Sequence, residues 1–336
     1  MSTKPIKTVF SGMQPTSGVT LGNYLGAMRN FVKLQHQAKC FFCVVDLHAL
    51  TVPKDPAELR RNTLDMARIY VAAGIDPKVA TIFAQSHVSA HAEMGWLMEV
   101  SCYYGELQRM TQFKDKAAKA EVVTTGLFTY PALMAADILL YDTTHVPVGD
   151  DQKQHLELAR DIAVRLNNRF GRELVVVPEP YIPPREAGGR IMSLQDPTQK
   201  MSKSDPDEYA TIHMLDTPDV IRKKIKRAVT DSESEVRYDP EKKPGVSNLM
   251  VILSLCTGMS LDEIAGRYTG YGQFKKDVAE AVVATLEPIQ KRYRELCEPG
   301  VIEDILEKGA EEAEAVSTPV LRRVQDALGL LPRKRP

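Results

Sequence analysis

Short apolar runs and helical patterns take turns along the first half of this chain, and that alternation limits the fold more than any other feature. Thr8-Val9-Phe10 reads as a strand. A turn rich in Gly, Pro and Ser follows, then a helical pattern from Asn23 to about Gln35. Phe41-Phe42-Cys43-Val44-Val45-Asp46 is apolar up to its last residue, as a strand covered on both faces requires. Asp55 and Pro56 supply a cap and first residue for a helix in which Leu59, Thr63, Met66 and Tyr70 keep helical spacing, and Gly74 ends it. Thr81-Ile82-Phe83-Ala84 is the next strand, with a helix from about Ala90 to Val100. Such alternation predicts a parallel α/β sheet with right-handed crossovers.

Further along, an apolar helix is expected from Pro131 to Leu140 and an amphipathic one from Asp151 to Phe170, closed by Gly171. Leu174-Val175-Val176-Val177 reads as another strand, and the residues near Ile191 as a further candidate. Beyond Ser204 the β signal fades. Helices are expected from Pro218, from Asn248 to Cys256, from Leu261 to about Tyr268, from Gln273 to about Glu295 and from Glu303 to Leu328, with a basic tail from Pro332. The 336 residues are about two domains' worth. A formal net charge of −1 means that a nucleic-acid partner must be met by a local basic patch.

Five cysteines, an odd number scattered over the chain, argue against a disulfide framework. Cys40 and Cys43 have redox or metal spacing, but they lie in the apolar run and read as core residues. No second Cys-x-x-Cys completes a zinc site. No secretory apolar core, transit-peptide pattern or run of membrane-spanning length is visible, so a cytoplasmic location is expected.

Two segments carry chemistry. In the first, Ser11-Gly12-Met13-Gln14-Pro15-Thr16-Ser17-Gly18 links a strand to a helix through small residues, with Thr20 and Asn23 at the helix start. Such a turn can seat an anion on backbone N–H groups, and it is equally an ordinary capped connection. In the second, Lys200-Met201-Ser202-Lys203-Ser204 puts two mobile point charges on a small-residue loop. The loop suits a polyphosphate; its composition alone suits a solvated segment.

Together these segments resemble the paired nucleotide-binding motifs of class I aminoacyl-tRNA synthetases. Lys200 to Ser204 matches the Lys-Met-Ser-Lys-Ser motif at all five positions, and Thr20-Leu21-Gly22-Asn23 is similar to the family's other motif in the Thr/Asn form of the tryptophan enzymes. Val45 to Thr51, Gly105 to Lys114, Met134 to Tyr141 and Val146 to His155 extend the resemblance to the bacterial tryptophan branch, from about Val9 to the end and more loosely after Val246. One departure is Ser17, where the family commonly has Gly two residues after the proline; Gly18 follows.

The resemblance implies a Rossmann-like, doubly wound parallel sheet as a catalytic domain over residues 1–204, with a connecting and dimerisation segment near 100–150. It implies an all-helical anticodon-binding domain over residues 205–336, its last helix packing back on the catalytic domain. The implied reaction is ATP-dependent activation of L-tryptophan to an adenylate, then transfer to the 3′ end of tRNA(Trp), by a homodimer, with Mg²⁺ carried by the ATP phosphates and no protein metal site. Catalytic roles fall to Thr20, Asn23, Lys114, Lys200 and Lys203. ATP contacts fall to Gln14, Pro15, Thr16, Gly22, Asn23, Gly149, Asp150, Asp151, Ile191, Lys200, Met201, Ser202, Lys203 and Ser204.

A carboxylate in the run Ala135-Ala136-Asp137-Ile138-Leu139 is costly unless paired. Indole offers one N–H donor and no acceptor, so a tryptophan pocket needs one buried acceptor among apolar walls. By resemblance Asp137 takes that role, with Phe10, Met134, Val146 and Val148 as walls and His48, Tyr130 and Gln152 nearby. The basic run Arg222-Lys223-Lys224-Ile225-Lys226-Arg227 reads either as a solvated helix face or as a tRNA contact. Three rivals are weighed on the same residues. A tyrosyl enzyme would carry a different second motif. A small-molecule adenylyltransferase would lack the lysine loop and helical half. A binding-only paralogue should have lost Lys200, Lys203 or Asp137, and all three are present.

Overall fold

The computed structural model describes residues 7–16, 18–118, 121–149, 152–181 and 190–332. Among these residues one parallel sheet forms in the order β3-β2-β1-β4-β5, from β1 (Thr8–Met13), β2 (Lys39–Val44), β3 (Thr81–Ala84), β4 (His145–Pro147) and β5 (Glu179–Tyr181). The register sets Phe10 beside Phe41 and Phe42 beside Ile82. The first helical stretch is α1 (Leu21–Asn23), a π segment (Tyr24–Met28) and α2 (Arg29–Leu34). Then come α3 (Asp46–Ala49), α4 (Pro56–Ala72), α5 (Ala90–Glu99), α6 (Tyr104–Gln108), α7 (Thr111–Ala117), α8 (Thr125–Leu139) and α9 (Lys153–Phe170). The second half adds α10 (Pro218–Arg227), α11 (Pro244–Thr257), α12 (Leu261–Arg267), α13 (Tyr271–Glu295) and α14 (Val301–Ala327).

β2 explains why the sheet is covered on both sides. Successive side chains point to opposite faces. Cys40, Phe42 and Val44 therefore enter one core with Tyr70 of α4, while Phe41 and Cys43 enter another with Met94 of α5 and Ala135 of α8. The two cysteines are buried free thiols on opposite faces. The first core continues without a break into the helical half, through Ile225 of α10, Leu249 of α11 and Val282 of α13. α14 returns to the sheet, where Thr81 of β3 donates to Glu312 at 3.0 Å. Gly309 lies so close to β3 that an added Cβ would sit 1.8 Å from the Ile82 carbonyl oxygen.

Local signals account for most boundaries. Asp55 accepts the Glu58 N–H at 2.8 Å and so caps α4. Gly171 ends α9 at φ 63°, in the left-handed region. The expected strand at Leu174–Val177 does not form. Asn167 of α9 accepts the N–H groups of Leu174 and Val175 at 2.7 and 3.0 Å and donates to the Val175 carbonyl at 2.8 Å, which leaves those groups none for a sheet ladder. The strand falls instead at Glu179–Tyr181. Near Ile191 there is a single bridge, Met192 to Lys200, rather than a strand. Asp46 belongs to α3 and not to the preceding strand.

Candidate active site

Strand order reverses between β1 and β4, and ligands of parallel α/β sheets bind at the carboxyl ends of the strands at such a point. A cavity of about 370 Å³ opens there. β1 supplies Phe10, and β4 with the residues after it supplies Val146, Val148 and Gln152. From α8 come Tyr130, Met134 and Asp137, spaced four and three residues apart and so on one helical face. α3 adds His48. These eight residues are the ones expected to hold the amino acid, and they line this one cavity together.

Asp137 is 1 % exposed, and three side chains donate to it. Oδ2 is 2.7 Å from His48 Nε2; Oδ1 is 2.7 Å from both Gln85 Nε2 and His91 Nδ1. Burial by itself would raise the carboxyl pKa. His48 and His91, by charge and hydrogen bonding, outweigh burial and hold the group well below the usual carboxylate range. Asp137 thus presents an acceptor carboxylate to a cleft whose walls are part apolar and part polar. Tyr130 donates to or accepts from His155 Nε2 at 2.8 Å, and burial pushes its phenol up to about 12.

The nucleotide motifs enclose a second cavity of about 300 Å³, lined by Gln14, Thr16, Thr20, Asn23, Lys200, Met201, Ser202 and Lys203. Thr20 and Asn23 form a capping box: the Asn23 N–H donates to the Thr20 hydroxyl at 3.1 Å, and the Thr20 N–H donates to Asn23 Oδ1 at 3.1 Å. The lysine loop is fastened beside them. Met201 N–H donates to the Ile191 carbonyl at 3.0 Å, and the Thr211 hydroxyl to the Ser202 carbonyl at 2.6 Å. The Lys203 ammonium donates to the Thr16 hydroxyl, which joins the two motifs directly. Desolvation, and then the charge of Lys54, lower the Lys203 pKa.

Gly18 has φ +73°, and a Cβ there would come within 2.7 Å of His213 Nδ1. The turn thus requires glycine at this position, one residue later than the family's usual spacing suggests. Ser17 lies outside the described residues, as do Asp150 and Asp151. Gly22 stands beside Ile191 and Met201, where a Cβ would meet their Cβ atoms at 3.5 and 3.7 Å. Pro15 is buried within the turn, and Ser204 is 3.0 Å from Ser202 by hydroxyl contact. Gly149 and Lys114 are exposed and line neither cavity.

Sequence reasoning missed Lys116, two residues from Lys114, which lines the first cavity with its ammonium 4.7 Å from the Tyr130 ring centre; burial lowers its pKa. It also missed Gln85 and His91. Neither has a local signature, since each reaches Asp137 across about fifty residues of chain. The basic run on α10 is largely used inside the protein. Arg222 binds Glu280 at 2.8 and 3.0 Å, buried Lys224 binds Asp216 at 2.7 Å, and Arg227 stacks on Tyr209 at 4.2 Å.

Gln14 lines both cavities, so the two sites meet. A model of the family described as tRNA synthetases class I (W and Y) matches residues 1–287. The chain is 58 % identical over 330 residues to a tryptophan–tRNA ligase of Caldanaerobacter subterraneus subsp. tengcongensis, covering 98 % of this chain and 100 % of the relative. It resembles the crystal structure of tryptophanyl-tRNA synthetase from Mycoplasma pneumoniae at TM-score 0.88 and 38 % identity, over 97 % of this chain and 98 % of that one. The Campylobacter jejuni tryptophanyl-tRNA synthetase complexed with ADP and tryptophan matches at TM-score 0.83 and 34 % identity, over 96 % and 100 % of the two chains.

Proposed function

The chain belongs to the class I tRNA synthetases for tryptophan and tyrosine, and on that premise we propose that it activates L-tryptophan with ATP and transfers it to tRNA(Trp). The observation that carries this reading is the junction at Gln14, where a cleft walled by Phe10, Met134, Val146 and Val148 and holding the Asp137 carboxylate meets a cleft lined by lysines and short polar groups. A ligand with its indole N–H at Asp137 and its carboxylate toward Gln14 would place that carboxylate beside a nucleotide held by the two motifs. The carboxylate oxygen attacks the α-phosphorus, pyrophosphate leaves, and tryptophanyl-adenylate forms. The ribose hydroxyl at the tRNA 3′ end then attacks the acyl carbon and releases AMP. No protein nucleophile is needed, so catalysis consists of positioning and charge stabilisation.

Lys200 and Lys203 are assigned to the phosphates, Thr20 and Asn23 to the nucleotide at the start of α1, and Lys114 to the entering polyphosphate from its exposed position on α7. Mg²⁺ is assigned to the ATP phosphates, because it favours phosphate and water ligands over a full protein cage. The helical half from residue 205 is assigned to the anticodon. A homodimer is part of the reading, supported by Trp96, Val100, Tyr103 and Tyr104, which stand 64, 58, 62 and 70 % exposed in one short stretch. Among the described residues no single helix is long and apolar enough to cross a membrane. A cytoplasmic location accords with five unpaired cysteines. ATP–pyrophosphate exchange measured with each standard amino acid tests the reading. Exchange driven by tryptophan alone is expected; exchange driven by tyrosine, or by no amino acid, refutes it.

A further inference from the structure

Two of the side chains that donate to Asp137, Gln85 and His91, do not line the cavity that it faces, and this rear support decides what its front can bind. A carboxylate has about four lone-pair sites. Gln85 and His91 take two on Oδ1, and His48 takes one on Oδ2. One site is left. It is on Oδ2, beside His48, which lines the cavity as Asp137 does; Gln85 and His91 do not. The orientation of each rear donor is itself set. Gln85 Oε1 accepts the Leu47 N–H at 3.2 Å, which turns its NH₂ toward Asp137. His91 Nε2 lies 2.8 Å from the Tyr141 hydroxyl. With Nδ1 engaged by the carboxylate, the contact of Nε2 with the Tyr141 hydroxyl fixes the ring from its other side, because the hydroxyl can donate or accept. Tyr141, His91 and Gln85 are each 1 % exposed or less, so water cannot replace them.

We propose that His91, locked by Tyr141, is a specificity-determining positioning residue: it keeps Asp137 turned so that a single acceptor site faces the cavity, and so matches a ligand ring carrying one N–H donor. This rests on the tryptophan reading of the cavity. Without His91, Oδ1 has an open site at the rear and the carboxylate is less firmly oriented, so its acceptor site is no longer held where the ligand N–H arrives. A ring that makes no hydrogen bond at that point should not register the change.

The test compares ATP–pyrophosphate exchange driven by tryptophan and by β-(3-benzothienyl)alanine, in which sulfur stands in place of the indole N–H. In His91→Leu, kcat/KM for tryptophan is expected to fall about 10- to 100-fold, the size of a lost hydrogen bond to a charged group. The benzothienyl value should change little, so the ratio of the two collapses. His91→Asn, which keeps an N–H near the Nδ1 position, should recover most of the ratio. Equal losses for both amino acids in His91→Leu would mean a merely structural role and overturn the proposal. If the unmodified enzyme itself treats the two amino acids alike, the role of Asp137 fails, and the tryptophan reading of the cavity with it. Should His91→Leu not fold, Tyr141→Phe carries the test, since it deletes one buried hydroxyl and keeps the ring. A drop in the ratio of about 2- to 10-fold is expected, in line with one neutral hydrogen bond. An unchanged ratio would overturn the proposal.

Discussion

Asp137→Asn changes one oxygen for an NH₂ in the most constrained group of the site, and its consequence can be worked through atom by atom. The Asn oxygen fits the Oδ1 position, where Gln85 and His91 both donate. Its NH₂ then falls at Oδ2, opposite His48 Nε2. His48 can meet this by presenting Nε2 as an acceptor, because a neutral imidazole has one donor and one acceptor nitrogen. The fold should therefore survive. The second amide hydrogen points into the cavity, where the ligand presents its indole N–H, and donor faces donor. Loss of the charge-assisted bond removes about 1.5–3 kcal/mol, and the unpaired buried donor costs about 1–3 kcal/mol more. The sum, about 2.5–6 kcal/mol, corresponds to a rise of about 10²- to 10⁴-fold in the KM for tryptophan. Pyrophosphate exchange over a tryptophan titration reads it. A KM within threefold of the parent value, in a variant with unchanged thermal unfolding, would refute the assignment of the free Oδ2 site to the indole. The same variant checks the protonation argument. The Asp137 carboxyl is held below its ordinary value when folded, so the folded state gives up this proton more readily than the unfolded state does. Its contribution to stability is in place above about pH 4 and falls away below it. The gap in urea midpoint between parent and Asp137→Asn should therefore narrow on going from about pH 5 to pH 3; a gap that widens would reverse the sign.

Two further outcomes follow from the geometry. Lys203→Ala removes the ammonium that joins the lysine loop to Thr16, and should slow adenylate formation by about 10²- to 10³-fold with little change in tryptophan KM; an equal loss of both would assign the lysine a structural role. Gly309→Ala would add about 1 kcal/mol of helix propensity to an isolated helix. Here the new methyl would sit 1.8 Å from the Ile82 carbonyl oxygen, so a net loss of about 1–2 kcal/mol is expected, read as a lower urea midpoint; a higher midpoint would mean that α14 does not approach β3 as described.

Much of the fold is legible in the sequence because its signals are local. The continuous apolar run of β2 reports a strand buried on both faces, and Asp55, Pro56 and Gly171 mark helix ends by their own backbone chemistry. Where a distant group intervenes, the local signal misleads. Leu174 to Val177 has strand composition, but the Asn167 side chain captures its backbone groups, while the strand itself falls on Glu179-Pro180-Tyr181, whose composition gives little sign of it.

The candidate site divides in the same way. Residue type and spacing by themselves showed two mobile lysines on a small-residue loop and a Thr/Asn pair at a helix start, and the phosphate reading came only with the resemblance to the synthetase motifs. They also determined that Asp137, in an apolar helix, needs a partner. Tertiary structure alone decided which partners it has. Gln85, His91 and Tyr141 are brought around it by the meeting of β3, α5 and α8, and hydrogen bonds between elements leave no periodic trace along the chain. It also decided that the two cavities share Gln14. A parallel sheet opens its ligand crevice where strand order reverses, and that reversal is a property of strand arrangement rather than of any one segment.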